Sequence, residues 1–284
     1  MSDSAPVAAP DPAAPASKAG RDLPVAIAAG VFLVALIVAS LAWHKWLFIV
    51  LAVVALWIGI TEIANGFAAR NVRIVQWPIL IAVPLIGWAA YDHGTAAYLG
   101  IFAALVLVIM VWRLTQGTDN YVRDTTASVF VAAYIPLMLG FAVLTLATAD
   151  GAWRIVAFIA LTIGSDIGGY AAGVLFGKHP MAPSISPKKS WEGFAGSVLF
   201  QVAIGVGLFV TVLSGSWWEG ALVGLLMTIT ATLGDFIESA IKRDLGIKDM
   251  GSIVPGHGGL MDRLDSLIPN AFVSWALFTL LLGS

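Results

Sequence analysis

Long apolar stretches alternate with short polar ones along the chain, and the apolar stretches set its architecture. Nine of them run near the roughly 20 residues that a membrane-spanning helix needs. They cover about 24–43, 46–66, 75–91, 96–112, 126–148, 153–176, 194–213, 217–238 and 266–283. Most connections are short; two, 177–193 and 239–265, are long and polar. Residues 1–22 hold little besides Ala, Pro, Ser and Asp, cannot bury a core, and read as a disordered tail. Acidic residues and prolines ahead of the first apolar run distinguish this tail from a signal peptide. The pattern predicts an all-α, polytopic helical membrane protein with about nine transmembrane helices.

Composition agrees. Hydrophobic residues make up 59% of the 284 positions and charged ones only 11%, with a mean hydropathy of +0.91. A soluble domain averages roughly 45–50% apolar and about 25% charged. The absence of cysteine excludes disulfides, thiolate nucleophiles and Cys-ligated zinc, and the four His are too scattered for a His-rich metal site. The net charge of −2 says little, but the placement of charge says more. With the N-terminus in the cytoplasm, 13 of the 15 Lys and Arg fall on cytoplasmic segments, and only Lys45 and Arg154 fall outside. Both long loops then face the cytoplasm.

Acids inside spans are costly, by about 2.5–3.5 kcal/mol at the bilayer centre on insertion scales, so their positions need a reason. Asp166 lies in the sixth segment. Asp235, Glu238, Ser239 and Lys242 follow one another at helical spacing and form one polar stripe at the end of the eighth. Asp262 and Asp265 share a face at the start of the ninth. Such hard oxygen ligands suit magnesium, which takes one or two carboxylates and completes its shell with phosphate oxygens and water. Interhelical salt bridging is the other use of such acids. The run from Gly251 to Gly259 is rich in Gly, whose amides can form anion-binding nests. In the other loop, Ser186 and Pro187 read as the N-cap and first residue of a helix. Lys188 and Lys189 would then stand in its first turn, against the helix dipole unless an anion binds there. Headgroup contact or topology setting is the plainer use of these lysines.

The stretch from Ser239 to Asp265 resembles the signature of the phosphatidate cytidylyltransferases, S-x-x-K-R-x4-K-D-x5-P-G-H-G-G-x-x-D-R-x-D, and fills every fixed position. Ser165-Asp166, Gly177-Lys178 and Ser186-Pro187-Lys188-Lys189-Ser190-Trp191-Glu192-Gly193 are similar to the family as well, with Ser190 where Thr is common. Tyr134-Ile135-Pro136-Leu137 fits less specifically. The match covers roughly 126–283, and the first four spans are similar only in character.

The resemblance implies that CTP and phosphatidate give CDP-diacylglycerol and pyrophosphate. It also implies a magnesium requirement, with a second cation, divalent or monovalent, beside the first. On this reading 1–22 is a tail, 23–125 an N-terminal helical region, and 126–284 the catalytic transmembrane region. Asp235 and Asp262 would hold metal, with Asp166 or Asp265 in support. Lys188, Lys189, Lys242, Arg243 and Arg263 would neutralise phosphates, with Asp235, Asp262, Lys242 and Arg263 as the catalytic set. Substrate contacts would fall on Ser186, Lys188, Lys189, Ser239, Arg243, Lys248, Asp249, His257, Gly258 and Gly259, the last three within a loop that offers backbone amides to the nucleotide. The implied setting is a bacterial inner (plasma) membrane with the site facing the cytoplasm, among membrane lipids and without nucleic acid. Gly and Ala in the spans suit helix packing within one chain or in a homodimer. An ion-coupled transporter is the rival of another class, and a CTP-dependent lipid kinase the nearer one. The D-G-x-x-A-R…G-x-x-x-D-x-x-x-D pattern of CDP-alcohol phosphatidyltransferases is absent.

Overall fold

The structure, a computed structural model, describes residues 23–251 and 259–283. Each of the nine apolar stretches forms a helix: α1 Leu23–Trp43, α2 Lys45–Ala68, α3 Gln76–Asp92, α4 Gly94–Leu114, α5 Tyr121–Ala147, α6 Gly151–Phe176, α7 Trp191–Thr211, α8 Trp217–Leu245 and α9 Met261–Leu282. Seven of them, α2 and α4 through α9, are long and apolar enough to cross a membrane, and α3 is shorter at 17 residues. Their outer faces are apolar: Leu107, Leu199 and Leu280 are 64%, 74% and 79% exposed, a surface suited to acyl chains and not to water. The chain is an integral membrane protein with an almost wholly helical fold.

Helices α6, α7 and α8 pack side by side through small residues. A Cβ on Gly168 would stand 2.8 Å from the carbonyl oxygen of Gly196, and one on Gly224 would stand 2.5 Å from that of Gln201, so only Gly lets these backbones meet. Buried hydrogen bonds fix the register. Ser197 Oγ donates to Ser165 O at 2.7 Å, Gln201 Nε2 to Leu161 O at 2.7 Å, and Thr228 Oγ1 to Gln201 Oε1 at 2.8 Å. Helix α9 inserts beside α5, α6 and α8, where Asn270 Nδ2 donates to Thr162 Oγ1 at 3.1 Å. A polar bond of this kind inside the bilayer replaces one that water cannot supply.

Two helices are irregular. In α5 the turn Ala133–Leu137 widens to a π-helix around Pro136, which has no amide to donate. Helix α9 breaks between Leu264 and Leu267. Pro269 cannot donate to the carbonyl of Asp265, and the Asp265 side chain turns back to accept from Ser266 N at 2.7 Å. The freed carbonyl faces Gly234 of α8, where no Cβ would fit.

The structure corrects one expected helix start. Ser186–Ser190 is not helical but is strand β2, paired antiparallel with β1, Pro180–Ala182. The cap falls four residues later, where Ser190 Oγ accepts from Gly193 N at 3.1 Å to open α7. Lys188 and Lys189 therefore project from a ribbon, not from a helix's first turn, and the dipole conflict expected there does not arise. Helix ends also reach further than expected: α8 runs on to Leu245, and α9 starts at Met261.

Candidate active site

One end of the bundle collects the acids and lysines. The α8 stripe forms as the spacing requires. Lys242 Nζ lies 2.6 Å from Glu238 Oε2, four residues earlier, and 2.8 Å from Asp262 Oδ1 on α9. Asp262 also accepts from Gly259 N at 2.7 Å and Met250 N at 3.1 Å, so it ties both flanks of the loop between α8 and α9 to Lys242. One turn deeper on α8, Asp235 pairs with Lys189 of β2 and accepts from Ser266 Oγ at 2.7 Å. Ser266 also donates to Asp265 Oδ1 at 3.1 Å. The helix break at Asp265 thus places a hydroxyl between two carboxylates. Two linked groups result, Lys189–Asp235–Ser266–Asp265 and Glu238–Lys242–Asp262, and the Asp265 and Glu238 carboxylates are neighbours where the groups meet.

The first group opens into a cavity of about 330 Å³ whose lining includes Ser165, Asp166, Ser186, Lys188, Lys189 and Asp235. Asp166 presents its surface to this space. Burial pushes the Lys189 ammonium down to about 8, against the opposing pull of Asp265 and Asp166.

Of the residues singled out from the sequence, Asp166, Ser186, Lys188, Lys189 and Asp235 meet at the cavity, and Lys242, Asp262 and Asp265 belong to the linked groups. Arg263 is exposed beside Asp262 in the first turn of α9. Ser239 is half-buried on the stripe without a hydrogen bond among the described residues, and Arg243, Lys248 and Asp249 are exposed. His257 and Gly258 lie outside the described residues. The Gly259 amide, expected to face a nucleotide, is committed to Asp262. The sequence reading missed Ser266 and Glu62. Ser266 could have been found as the hydroxyl next to Asp265. Glu62, a lone acid in the second apolar stretch, carried only its own oddity as a signal.

A divalent cation fits the chemistry of this donor set. Five carboxylates, Asp166, Asp235, Glu238, Asp262 and Asp265, gather at this end of the bundle around Lys188, Lys189, Lys242 and Arg263. Among the described residues Glu238 Oε1 is buried with no donor in reach and has the Asp265 carboxylate as neighbour, a juxtaposition that a cation would relieve. Among the described residues no three acidic or His side chains converge to enclose an ion by themselves. Phosphate oxygens would have to complete the shell, as magnesium sites commonly require.

Residues 24–281 match the model of the cytidylyltransferase family. The phosphatidate cytidylyltransferase of Mycobacterium leprae is 42% identical over 281 residues, spanning 93% of this chain and 90% of that protein. The enzyme of the same name from Mycobacterium bovis is 40% identical over 95% of this chain and 92% of its own length. That of Helicobacter pylori is 30% identical over 77% and 79%. The chain belongs to the cytidylyltransferase family.

Proposed function

We propose that the chain transfers the CMP moiety of CTP to phosphatidate, giving CDP-diacylglycerol and pyrophosphate for phospholipid synthesis. The observation that carries this reading is the pair of adjoining acid–lysine clusters on β2, α8 and α9, the first of which lines a cavity at one end of the bundle. The relatives named above supply the substrates.

In this reaction a phosphate oxygen of phosphatidate attacks the α-phosphorus of CTP. A new P–O bond forms, the bond to the bridging oxygen breaks, and pyrophosphate leaves with that electron pair. The phosphate monoester is largely ionised near neutral pH, its second pKa being about 6, so no general base is required and His257 is not assigned one. What the protein must supply is position and charge neutralisation. Lys188 and Lys189, on the cavity wall, and Lys242, Arg243 and Arg263, beside the loop between α8 and α9, are the cations for the triphosphate and the lipid phosphate. Asp235 and Asp262 would hold magnesium, with Asp166 and Asp265 in support; when bound, the metal neutralises phosphate charge and aligns attacking and leaving oxygens. Ser266 and Lys242 hold those carboxylates in place. The diacyl chains stay in the bilayer while only the headgroup enters.

The charge bias of the loops supports a cytoplasmic position for this end, where CTP is available. Purified protein supplied with labelled CTP, phosphatidate and magnesium tests the reading. Labelled CDP-diacylglycerol is the expected product, and its absence from a folded preparation would reject the assignment.

A further inference from the structure

Helix α2 lies outside the segment that carries the signature, yet it grips both ends of the connection between α8 and α9. Glu62 is 4% exposed, and its two carboxylate oxygens accept from Leu260 N at 3.1 Å and Met261 N at 2.8 Å. These are orphan amides at the start of α9, whose own turn cannot satisfy them. The amide before them, Gly259 N, goes to Asp262. Two carboxylates from different helices thus cap three successive amides. The same Glu62 carboxylate sits against Gly251 and Gly259, the two residues that bracket the loop's middle; a Cβ on Gly259 would stand 2.6 Å from Oε2.

In the turn that follows α2, Arg70 Nε donates at 2.8 Å to the carbonyl oxygen of Leu245, the last residue of α8, and its guanidinium covers Gly246. Gly246 takes φ +70° to end that helix. Arg70 suits the C-terminal pole of α8, which carries partial negative charge, while Glu62 acts by accepting from amides that the short first turn of α9 leaves unsatisfied. Between and beside them, Gly59 meets Met261 and Leu264, and Gly66 meets Leu245 and Ile247. Positions 59, 62 and 66 form one stripe along α2, Arg70 continues it just past the helix end, and together they seat the connection between α8 and α9.

We infer that Glu62 and Arg70 are positioning residues for nucleotide transfer: they fix the exit of α8 and the entry of α9, and through them the placement of Asp262. This role presupposes the cytidylyl-transfer reading, but the hold of Glu62 on the first turn of α9 does not. The test therefore has two arms on the full chain in detergent. One measures kcat and KM for CTP with phosphatidate and magnesium. The other measures amide exchange without ligand over 259–262, with α4 as reference.

For Glu62→Ala, kcat/KM should fall about 100-fold, the scale of a displaced reacting group, mostly through kcat. Exchange near 260 and 261 should quicken about tenfold, with α4 unchanged. Glu62→Gln keeps one acceptor and should fall between Ala and the parent; it decides the matter if the Ala variant does not fold. Arg70→Ala should lose about tenfold in kcat/KM, and Arg70→Lys, which can still donate to Leu245, should recover most of it. Parent-like kinetics and exchange in both Glu62 variants would overturn the assignment. So would exchange that quickens equally in α4, which marks a purely structural role. If the parent itself makes no CDP-diacylglycerol, the transfer reading fails, while the exchange arm still reports whether Glu62 orders the entry of α9.

Discussion

The Lys242 ammonium stands 2.8 Å from Asp262 and joins the end of α8 to the first turn of α9. Its other partner, Glu238, is only 1% exposed. Lys242 therefore does two things at once: it balances acids that the membrane would otherwise penalise, and it keeps Asp262 turned toward the site. Lys242→Met should lower kcat/KM by about 10²–10³-fold, the cost of losing a preorganised charge at a reacting phosphate. Lys242→Arg should retain more activity. Steady-state kinetics on protein with an unchanged melting profile would check this, and a fully active Met variant would remove Lys242 from the catalytic set.

Asp235 and Asp262 are each held by a lysine and by a second donor. Replacing either with Asn preserves shape and removes charge. Each variant should lose about 100-fold or more in activity and need more magnesium for half-maximal rate. Chelation should silence the parent enzyme, and added magnesium should restore it. Variants with parental rates and magnesium response would exclude these residues from the metal site.

Away from the site, Arg113 pairs with Asp124 at 3.0 Å, with both side chains almost fully buried, and Arg113 also donates to Gly117 O at 2.9 Å. This pair fastens the turn between α4 and α5. Asp124→Ala leaves a buried guanidinium without its carboxylate and should cost about 3–5 kcal/mol. The loss should appear as a lower thermal midpoint in detergent. Asp124→Ala with Arg113→Met together should cost less than the single change.

The seam between α6 and α7 makes a sharper comparison within one helix. A Cβ on Gly196 would stand 2.7 Å from Gly168 O, whereas one on Gly207 meets nothing within 4 Å. Gly196→Leu should prevent folded protein from accumulating, and Gly207→Leu should leave yield and melting near the parent's. Size-exclusion profiles of the two variants would check it.

Helix number was legible because an apolar run near bilayer length has few alternatives in lipid. Helix ends were not. The turns carrying Lys242 and Asp262 are polar enough to read as loop, but their charges pair across α8 and α9 and the backbone stays helical. Ser186-Pro187 carries the same local signal as a helix start, and only the pairing of 186 with 182 turns it into strand. The acid stripe was readable because its members lie within a few turns of one another. Glu62 was not, since its amide partners lie 198 and 199 positions away and nothing near it in the chain announces them.

The break in α9 has a consequence for biogenesis. Ser266 and Asp262 are what engage Asp235 and Lys242 from the far side, and they belong to the last helix of the described chain. Domains emerge from the ribosome N-terminal part first. Until α9 enters the bilayer, Asp235 and Lys242 have only their pairs with Lys189 and Glu238, and the contacts that shape the site from its far side are missing. A chain halted before Asp262 would hold all of α8, with its stripe and its own ion pairs, but none of the α9 side chains that complete the site.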